Sequence, residues 1–139
     1  MAVSFFNEDV PKPSLKYTGV KKWLTSEIEN MGFVVGNINY IFCSDEYLLE
    51  MNRKHLEHDY YTDIITFDYC EDKEISGDMY ISVDRIKENS VLLGTGDSEI
   101  YRVIIHGVLH LCGYEDDTDE ETEAMRQKED EALLRLDLI

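Results

Sequence analysis

Apolar and polar residues recur along this chain with two different periods, and these periods mark out its helices and strands. Apolar residues follow helical spacing in PSLKYTGVKKWLTSEIENM, whereas FVVGNINYIFC alternates as a strand does and is rich in β-branched and aromatic residues. Over the whole chain, the pattern predicts an edge strand in VSFFN, helices at about 14–30, 45–57, 84–92, 98–112 and 118–137, and strands at about 33–43, 63–70 and 78–83. Because strands come early and helices late, we expect an α+β fold with a small mixed sheet of about four strands covered by helices.

Local signals place the ends of these elements. Serine is a preferred helix N-cap, and it precedes three of the predicted helices, at Ser14, Ser44 and Ser98. The acidic stretch EDKEIS at 71–76 predicts a turn, and GTGD at 94–97 predicts a flexible connection.

Length and composition favour a single globular domain spanning 1–139. The hydrophobic fraction of 43% is enough for a buried core. No stretch approaches the roughly 20 apolar residues that span a bilayer, and MAVSFFNEDV lacks the basic flank and cleavage site of a signal peptide. We therefore expect a cytoplasmic protein without a membrane partner.

The chain is strongly acidic, with a formal net charge of −17 from 13 basic and 30 acidic residues. Such a chain is a poor nonspecific binder of nucleic acid, because phosphate contacts require Lys and Arg. Residues 115–131 contain ten acidic and two basic residues, so much of the excess lies in one segment. The charge therefore disfavours a nucleic-acid partner without excluding one.

The three cysteines, Cys43, Cys70 and Cys112, are an odd number and form no C-x-x-C pair. This usage is typical of reduced cytosolic thiols rather than of disulfides or a zinc ribbon. Cys112 follows His110 by two residues, which places the two side chains on different sides of a helix. We expect Cys112 to be a buried core thiol.

The most informative stretch is IIHGVLHLCGYEDD at 104–117, in which His106 and His110 are four residues apart. On a helix this spacing puts both imidazoles on one face. Two imidazoles one turn apart are a frequent basis for a transition-metal site. Neutral histidines in an apolar helix also need polar partners, which a metal supplies.

The glycines beside this pair indicate how a third ligand could reach it. Gly113 can end the helix in the left-handed conformation and return the chain towards the histidines. The residues that follow it offer carboxylates at Glu115, Asp116 and Asp117 but no imidazole. Gly107 costs roughly 1 kcal/mol against alanine inside a helix, so we expect another backbone or a substrate to approach it.

The spacing also resembles the H-E-x-x-H motif of zinc peptidases, in which the glutamate is the general base. Gly107 occupies that position here. Ordinary zinc proteolysis is therefore disfavoured, and a divergent metallopeptidase or other metal hydrolase is the weakest of the hypotheses.

Three blocks together resemble one known family. HGVLHLCGYEDD is similar to the signature of the YbeY family of bacterial metallo-endoribonucleases, H-G-x-L-H-L-x-G-Y-D-H. TDIITF at 62–67 is similar to the family's T-D-V-L-S-F, and GDMYIS at 77–82 to its G-D-I-x-I-S. Asn52 and Asp59 fit its N-x(6)-D spacing, and the matches follow family order over 48–125.

The resemblance implies a zincin-like α+β fold and a single-strand-specific endoribonuclease. It further implies a role in small-subunit ribosomal RNA maturation and ribosome quality control, with ribosomal RNA and the small subunit as partners. The family's metal, usually taken as zinc, is held by three histidines, of which the first two correspond to His106 and His110. The third falls at Asp116, and a two-histidine, one-carboxylate set also suits nickel, manganese, cobalt or iron.

A second departure concerns substrate contacts. The family has an arginine four residues after the asparagine matched by Asn52, and this chain has Leu56 there. We expect His58 or the nearby Arg53 to supply the lost polar contact, with Asp63 in a supporting role. Alternatively, His58 is a solvated helix-end residue and Asp63 only stabilises a turn.

The hypothesis that follows is metal-assisted phosphodiester cleavage by His106, His110 and Asp116. The metal polarises a phosphoryl oxygen and assists attack by water or by the ribose 2′-hydroxyl. Glu115 or Asp117 is the candidate general base, although most carboxylates in so acidic a segment are simply solvated.

The alternative is a ribosome-associated assembly factor with a structural metal and little nuclease activity. Under either hypothesis, the acids of the helix at 118–137 are read most simply as a solvated face. The functional interpretation is that they bind a basic partner such as a ribosomal protein, which would reconcile an RNA-related role with the net charge of −17. We expect the apolar residues of this helix to pack on the core, namely Met125, Leu133, Leu134, Leu136 and Leu138.

Overall fold

The computed structural model describes residues 2–55 and 62–136. Within these ranges the strands are β1 (Ala2–Asn7), β2 (Val34–Cys43), β3 (Ile64–Asp68) and β4 (Glu74–Ser82), and the helices are α1 (Tyr17–Asn30), α2 (Asp45–His55), α3 (Val83–Leu93), α4 (Glu99–Leu111) and α5 (Asp119–Leu134). A 3₁₀ turn at Gly96–Ser98 precedes α4. The predicted α+β class is confirmed.

The four strands form one mixed sheet in the order β1-β2-β4-β3. β1, β2 and β4 are parallel, whereas β3 pairs with β4 in the antiparallel direction. β2 is an interior strand, and its last four residues are all buried because helices cover both faces. The predicted position of β1 at an edge is also confirmed.

Alternating side chains on the strands build a core on each face of the sheet. The larger core contains Ile38, Tyr40 and Phe42 of β2 and is closed by α1, α4 and part of α5. A smaller core under α2 contains Cys43 and Ile65. Within the parts of the chain that the structure describes, no helix is long and apolar enough to cross a membrane.

α4, the histidine-bearing helix, is buried along most of its length. Eight of its 13 residues are buried, and the Tyr40 hydroxyl donates to the carbonyl oxygen of Ile104 at 2.7 Å. A Cβ atom at Gly107 would lie 2.3 Å from Met79 Sδ and 3.0 Å from Ile64 Cδ1. The expectation of a nearby backbone or substrate was therefore wrong, since side chains of the sheet make the close approach.

The first helix begins later than predicted. Lys16 rather than Ser14 is the N-cap of α1. The Tyr17 hydroxyl donates to the Pro13 carbonyl oxygen, and its ring packs against Phe5 with centroids 4.8 Å apart. These contacts hold the preceding residues along the core surface in a non-helical conformation, which the helical spacing of Leu15 did not reveal.

Two other predictions needed correction. β4 begins at Glu74 rather than near 78, because Glu74 and Ile75 pair with β2, and only the start of EDKEIS forms a turn. In α5 Met125 is 2% exposed, but Leu134 is 88% exposed and does not pack on the core. Leu138 lies outside the described residues.

Residues 94–97, which were predicted as a flexible connection, form the left-handed cap of α3 and part of the 3₁₀ turn.

Candidate metal centre

α4 and the turn that follows it bring together the two histidines and one carboxylate. Gly113 has φ +103° and ends the helix in a conformation that favours glycine. The amides of Gly113 and Tyr114 donate back to the carbonyl oxygens of His110 and Leu109, each at 3.0 Å. The chain then reverses, and Asp116 reaches the histidine face, as the sequence predicted.

The spacing of the ligand atoms fits a metal ion. Asp116 presents a different oxygen to each ring, with Oδ2 3.4 Å from His106 Nε2 and Oδ1 3.5 Å from His110 Nε2. Four tetrahedral ligands at zinc distances are about 3.3 Å apart. Ligand atoms from all three residues lie within 4.8 Å of one another, and no other such group occurs in residues 2–55 and 62–136.

The other ring nitrogen of His106 faces a buried carboxylate that sequence reasoning missed. His106 Nδ1 lies 2.6 Å from Oε2 of Glu129 on α5, and Glu129 is 4% exposed. Arg102 bridges Glu129 at 3.0 Å and Asp130 at 2.6 Å. Met125, Glu129 and Ala132 are the buried residues of α5, and their i, i+4, i+7 spacing is the signal that could have identified Glu129.

The acidic surroundings shift the protonation of His106. Burial disfavours the charged imidazole, but the hydrogen bond with Glu129 and the charges of Glu129, Asp116 and Asp63 outweigh it, and the pKa of His106 is raised. For Asp63, burial is the largest effect and raises the pKa of its carboxyl.

The group opens into a cleft of about 450 Å³ between α4 and the edge strand β3. Asn52, Asp63 and Asp68 line it together with the two histidines and Asp116. A second cleft of about 250 Å³ lies between α3, α4 and α5, and His106, Asp116 and Asp63 belong to both. The three shared residues therefore stand where the two clefts meet.

The remaining predicted residues are more dispersed. Arg53 is on α2, pairs with Glu50 at 3.3 Å and is not among the described residues of either cleft. Glu115 and Asp117 are exposed and also line neither cleft within the described ranges. His58, Leu56 and Asp59 lie outside the described residues.

Cys112 is partly buried and packs against the main core. Burial raises the pKa of its thiol to about 12. A neutral thiol is a poor metal ligand, since thiolate is the form that binds, and Cys112 is absent from the candidate group.

Known proteins resemble this chain over most of its length. Residues 7–137 match the family model described as Endoribonuclease YbeY. The chain belongs to the YbeY family. A YbeY protein of Parabacteroides distasonis, named Endoribonuclease YbeY, is 48% identical over 134 residues, covering 96% of this chain and 94% of the relative.

Two further comparisons extend the likeness. A YbeY protein of Cytophaga hutchinsonii with the same name is 49% identical over 133 residues, covering 94% of this chain and 93% of its own. The solution structure of a Thermotoga maritima protein matches with a TM-score of 0.68 at 25% identity, covering 96% of this chain and 90% of that one. The resemblance inferred from three short blocks therefore extends over nearly the whole chain.

Proposed function

We propose that this protein is a metal-dependent endoribonuclease that cleaves single-stranded RNA in the cytoplasm. Its proposed role is the maturation and quality control of small-subunit ribosomal RNA. The observation that carries the proposal is the convergence of His106, His110 and Asp116 in the first cleft, where His106 and Asp116 also line the second. Membership of a family of endoribonucleases supports RNA as the substrate class.

Zinc is the proposed ion, because two imidazoles and one carboxylate are ordinary zinc ligands and these three lie within 4.8 Å of one another. Nickel, manganese, cobalt and iron are the alternatives for the same set. A bound divalent ion polarises a phosphoryl oxygen and offsets the negative charge that develops during cleavage. The protein contributes the orientation of the ligands and an open approach from two sides.

Substrate contacts are proposed for residues around this centre. Asp63 lines both clefts and is proposed to contact substrate there in a supporting role. Arg126 of α5 lines the second cleft and would bind a phosphate there, whereas Arg102 is engaged by two carboxylates. Arg53 and His58 are proposed as more distant contacts.

The direct test measures metal content and cleavage of a short single-stranded RNA. His110→Ala and Asp116→Ala should lose bound zinc, and RNA cleavage should fall at least a hundredfold. Asp119→Ala is the matched control, because it removes a nearby exposed carboxylate with no proposed role and should retain both properties. Full zinc occupancy and full activity in Asp116→Ala would remove Asp116 from the site.

The geometry also bears on whether the metal is catalytic or structural. The ligand side chains are 21–36% exposed, whereas the apolar residues of α4 form a core that does not depend on them. We therefore expect chelation to abolish cleavage while lowering the melting temperature by only a few degrees. A large fall in melting temperature together with negligible nuclease activity in the loaded protein would favour the assembly-factor alternative.

The exposed acids of α5 are proposed to bind a basic ribosomal partner. Glu120 and Glu123 are exposed there and do not line the first cleft, which holds the candidate metal ligands. Replacing both with lysine should weaken association with the small subunit without reducing cleavage of a short RNA. The same charge change at exposed Glu29 and Glu71 is the control, and equal effects from both pairs would exclude a specific role for α5.

A further inference from the structure

Glu129 connects α5 to the candidate metal centre through His106. Its two carboxylate oxygens have separate partners, with Oε2 2.6 Å from His106 Nδ1 and Oε1 accepting from Arg102 Nη1 at 3.0 Å. The side chain is enclosed, at 6% exposure. A buried carboxylate with both oxygens engaged has little freedom to move.

This contact favours one of the two ring nitrogens of His106 as the one that carries the proton. An ionised carboxylate only accepts hydrogen bonds, so Nδ1 must be the donor. In the neutral ring, Nε2 then keeps its lone pair, and this is the atom 3.4 Å from Asp116 Oδ2. Nε2, which faces Asp116 in the candidate metal centre, is therefore the nitrogen able to bind an ion.

We propose that Glu129 is a positioning residue that fixes the tautomer and ring orientation of His106 for metal binding, and that Arg102 holds Glu129 in place. The inference builds on the proposed metal site and adds a residue outside the ligand set. Carboxylates that accept from the second nitrogen of a metal-binding histidine commonly raise metal affinity 10–100-fold.

The two histidines differ in this respect. Among the described residues, His110 has no carboxylate on its Nδ1, and its ion-pair contact is with Asp116 through Nε2. Glu129 of α5 therefore orients the ring of His106 but not that of His110. We expect substitution of Glu129 to change the tautomer of His106 more than that of His110.

α5 is also anchored at its C-terminal end, away from the candidate metal centre. The indole Nε1 of Trp23 donates to the Ala132 carbonyl oxygen at 2.9 Å, and Arg135 forms a bidentate pair with the buried Glu27 of α1 at 2.7 and 2.8 Å. These contacts fix the helix one to two turns beyond Glu129. Docking of α5 and metal binding are thereby coupled.

The first measurement is zinc affinity, determined by competition with a chromophoric chelator. Glu129→Gln keeps the size of the side chain but removes its charge and adds an amide donor, so zinc should bind 10–100-fold more weakly. Asp130→Asn is the matched control, because Asp130 also binds Arg102 but does not contact His106. The zinc affinity of Asp130→Asn should change less than threefold. Equal zinc affinities in Glu129→Gln and Asp130→Asn would overturn the proposal.

The second measurement follows the proton directly in zinc-free protein. Imidazole ¹⁵N chemical shifts, recorded at a pH where His106 is neutral, should show the Nδ1–H tautomer in the wild type and a shift towards Nε2–H in Glu129→Gln. A wild-type His106 with its proton on Nε2 would contradict the inference even if the variant failed to fold. A purely structural role for Glu129 would lower the melting temperature without changing the tautomer.

The two proposals fail in different ways. If zinc-saturated wild type does not cleave RNA, the proposed function fails, while the affinity and tautomer results still decide the role of Glu129. If the wild type cleaves RNA but Glu129→Gln matches it in zinc affinity and tautomer, only the positioning role fails.

Discussion

The hydroxyl of Tyr40 joins the central strand β2 to the histidine-bearing helix. It donates to Ile104 at 2.7 Å, and the residue is fully buried. Burial raises the pKa of this phenol well above its ordinary value. The interaction therefore makes a contribution to stability that depends on pH.

Tyr40→Phe should lower the free energy of unfolding by about 1 kcal/mol at neutral pH, the usual value of a hydrogen bond. Above pH about 10 the unfolded Tyr40 ionises while the folded one stays neutral, so wild type loses stability by up to about 1.4 kcal/mol per pH unit. The difference in free energy of unfolding between wild type and Tyr40→Phe should therefore shrink as the pH rises and then reverse. Urea unfolding between pH 7 and 11 checks this, with exposed Tyr69→Phe as the control, and a constant difference would contradict it.

Gly107 is required because side chains of the sheet occupy the space beside it. Gly107→Ala should lower the free energy of unfolding by about 1–3 kcal/mol, as overpacking does, since the new methyl group meets Met79 Sδ at 2.3 Å. Met79→Ala alone should cost about 2–5 kcal/mol. The double variant should be clearly more stable than the sum of the two effects predicts. Additive effects in urea unfolding would show that Met79 is not the obstacle.

The site residues differ in how far the sequence could predict them. The spacing of His106 and His110 placed both on one face, and Gly113 indicated the reversal that brings Asp116 back. Glu129 was missed because it is one of ten acids in residues 115–131. Only its neighbours at helical spacing mark it as the acid that turns inward.

At the scale of elements, α5 contributes one wall of the second cleft. Arg126 lines that cleft, whereas Lys128, two residues later, pairs with Glu131 at 3.7 Å. Arg126→Ala should raise KM for a short single-stranded RNA about three- to tenfold with little change in kcat, because it removes a proposed phosphate contact but no proposed metal ligand. Lys128→Ala makes the same charge change on the same helix and should leave KM unaltered, so equal effects would refute the assignment.

Element positions followed from periodicity where packing and local signals agree. The apolar face of α4 and its glycine stop were both visible, and the predicted limits of 98–112 are within one residue of Glu99–Leu111. The start of α1 was misplaced because Tyr17 is held by Phe5 and Pro13, contacts that depend on tertiary structure. β4 begins early for the same reason, since Glu74 and Ile75 are ordered by pairing with β2.

At the scale of the whole molecule, the charge of −17 opposes the approach of RNA. Proteins that bind nucleic acid through many cations lose about 10³–10⁵ in affinity between 50 and 200 mM salt. Here kcat/KM for a short single-stranded RNA should stay constant or rise over that range, because salt screens the repulsion. A fall of tenfold or more would indicate that many more cations contact the substrate.

Fold class was predictable at this scale, but strand order was not. The grouping of strands and helices indicated an α+β fold. Nothing in the alternation of apolar and polar residues in β4 indicates that this strand lies between β2 and β3 in the sheet. That order depends on long-range pairing and on the crossover through α1, which are properties of the folded chain.

The raised pKa of His106 has a consequence for how the proposed metal site would acquire an ion. When no ion is bound, the imidazole keeps a proton at a pH where an ordinary histidine has lost it, and this proton partly neutralises Glu129, Asp116 and Asp63. At the proposed metal site, loading would then exchange a proton for the ion rather than fill an empty space. We therefore expect acidification to favour release of the ion.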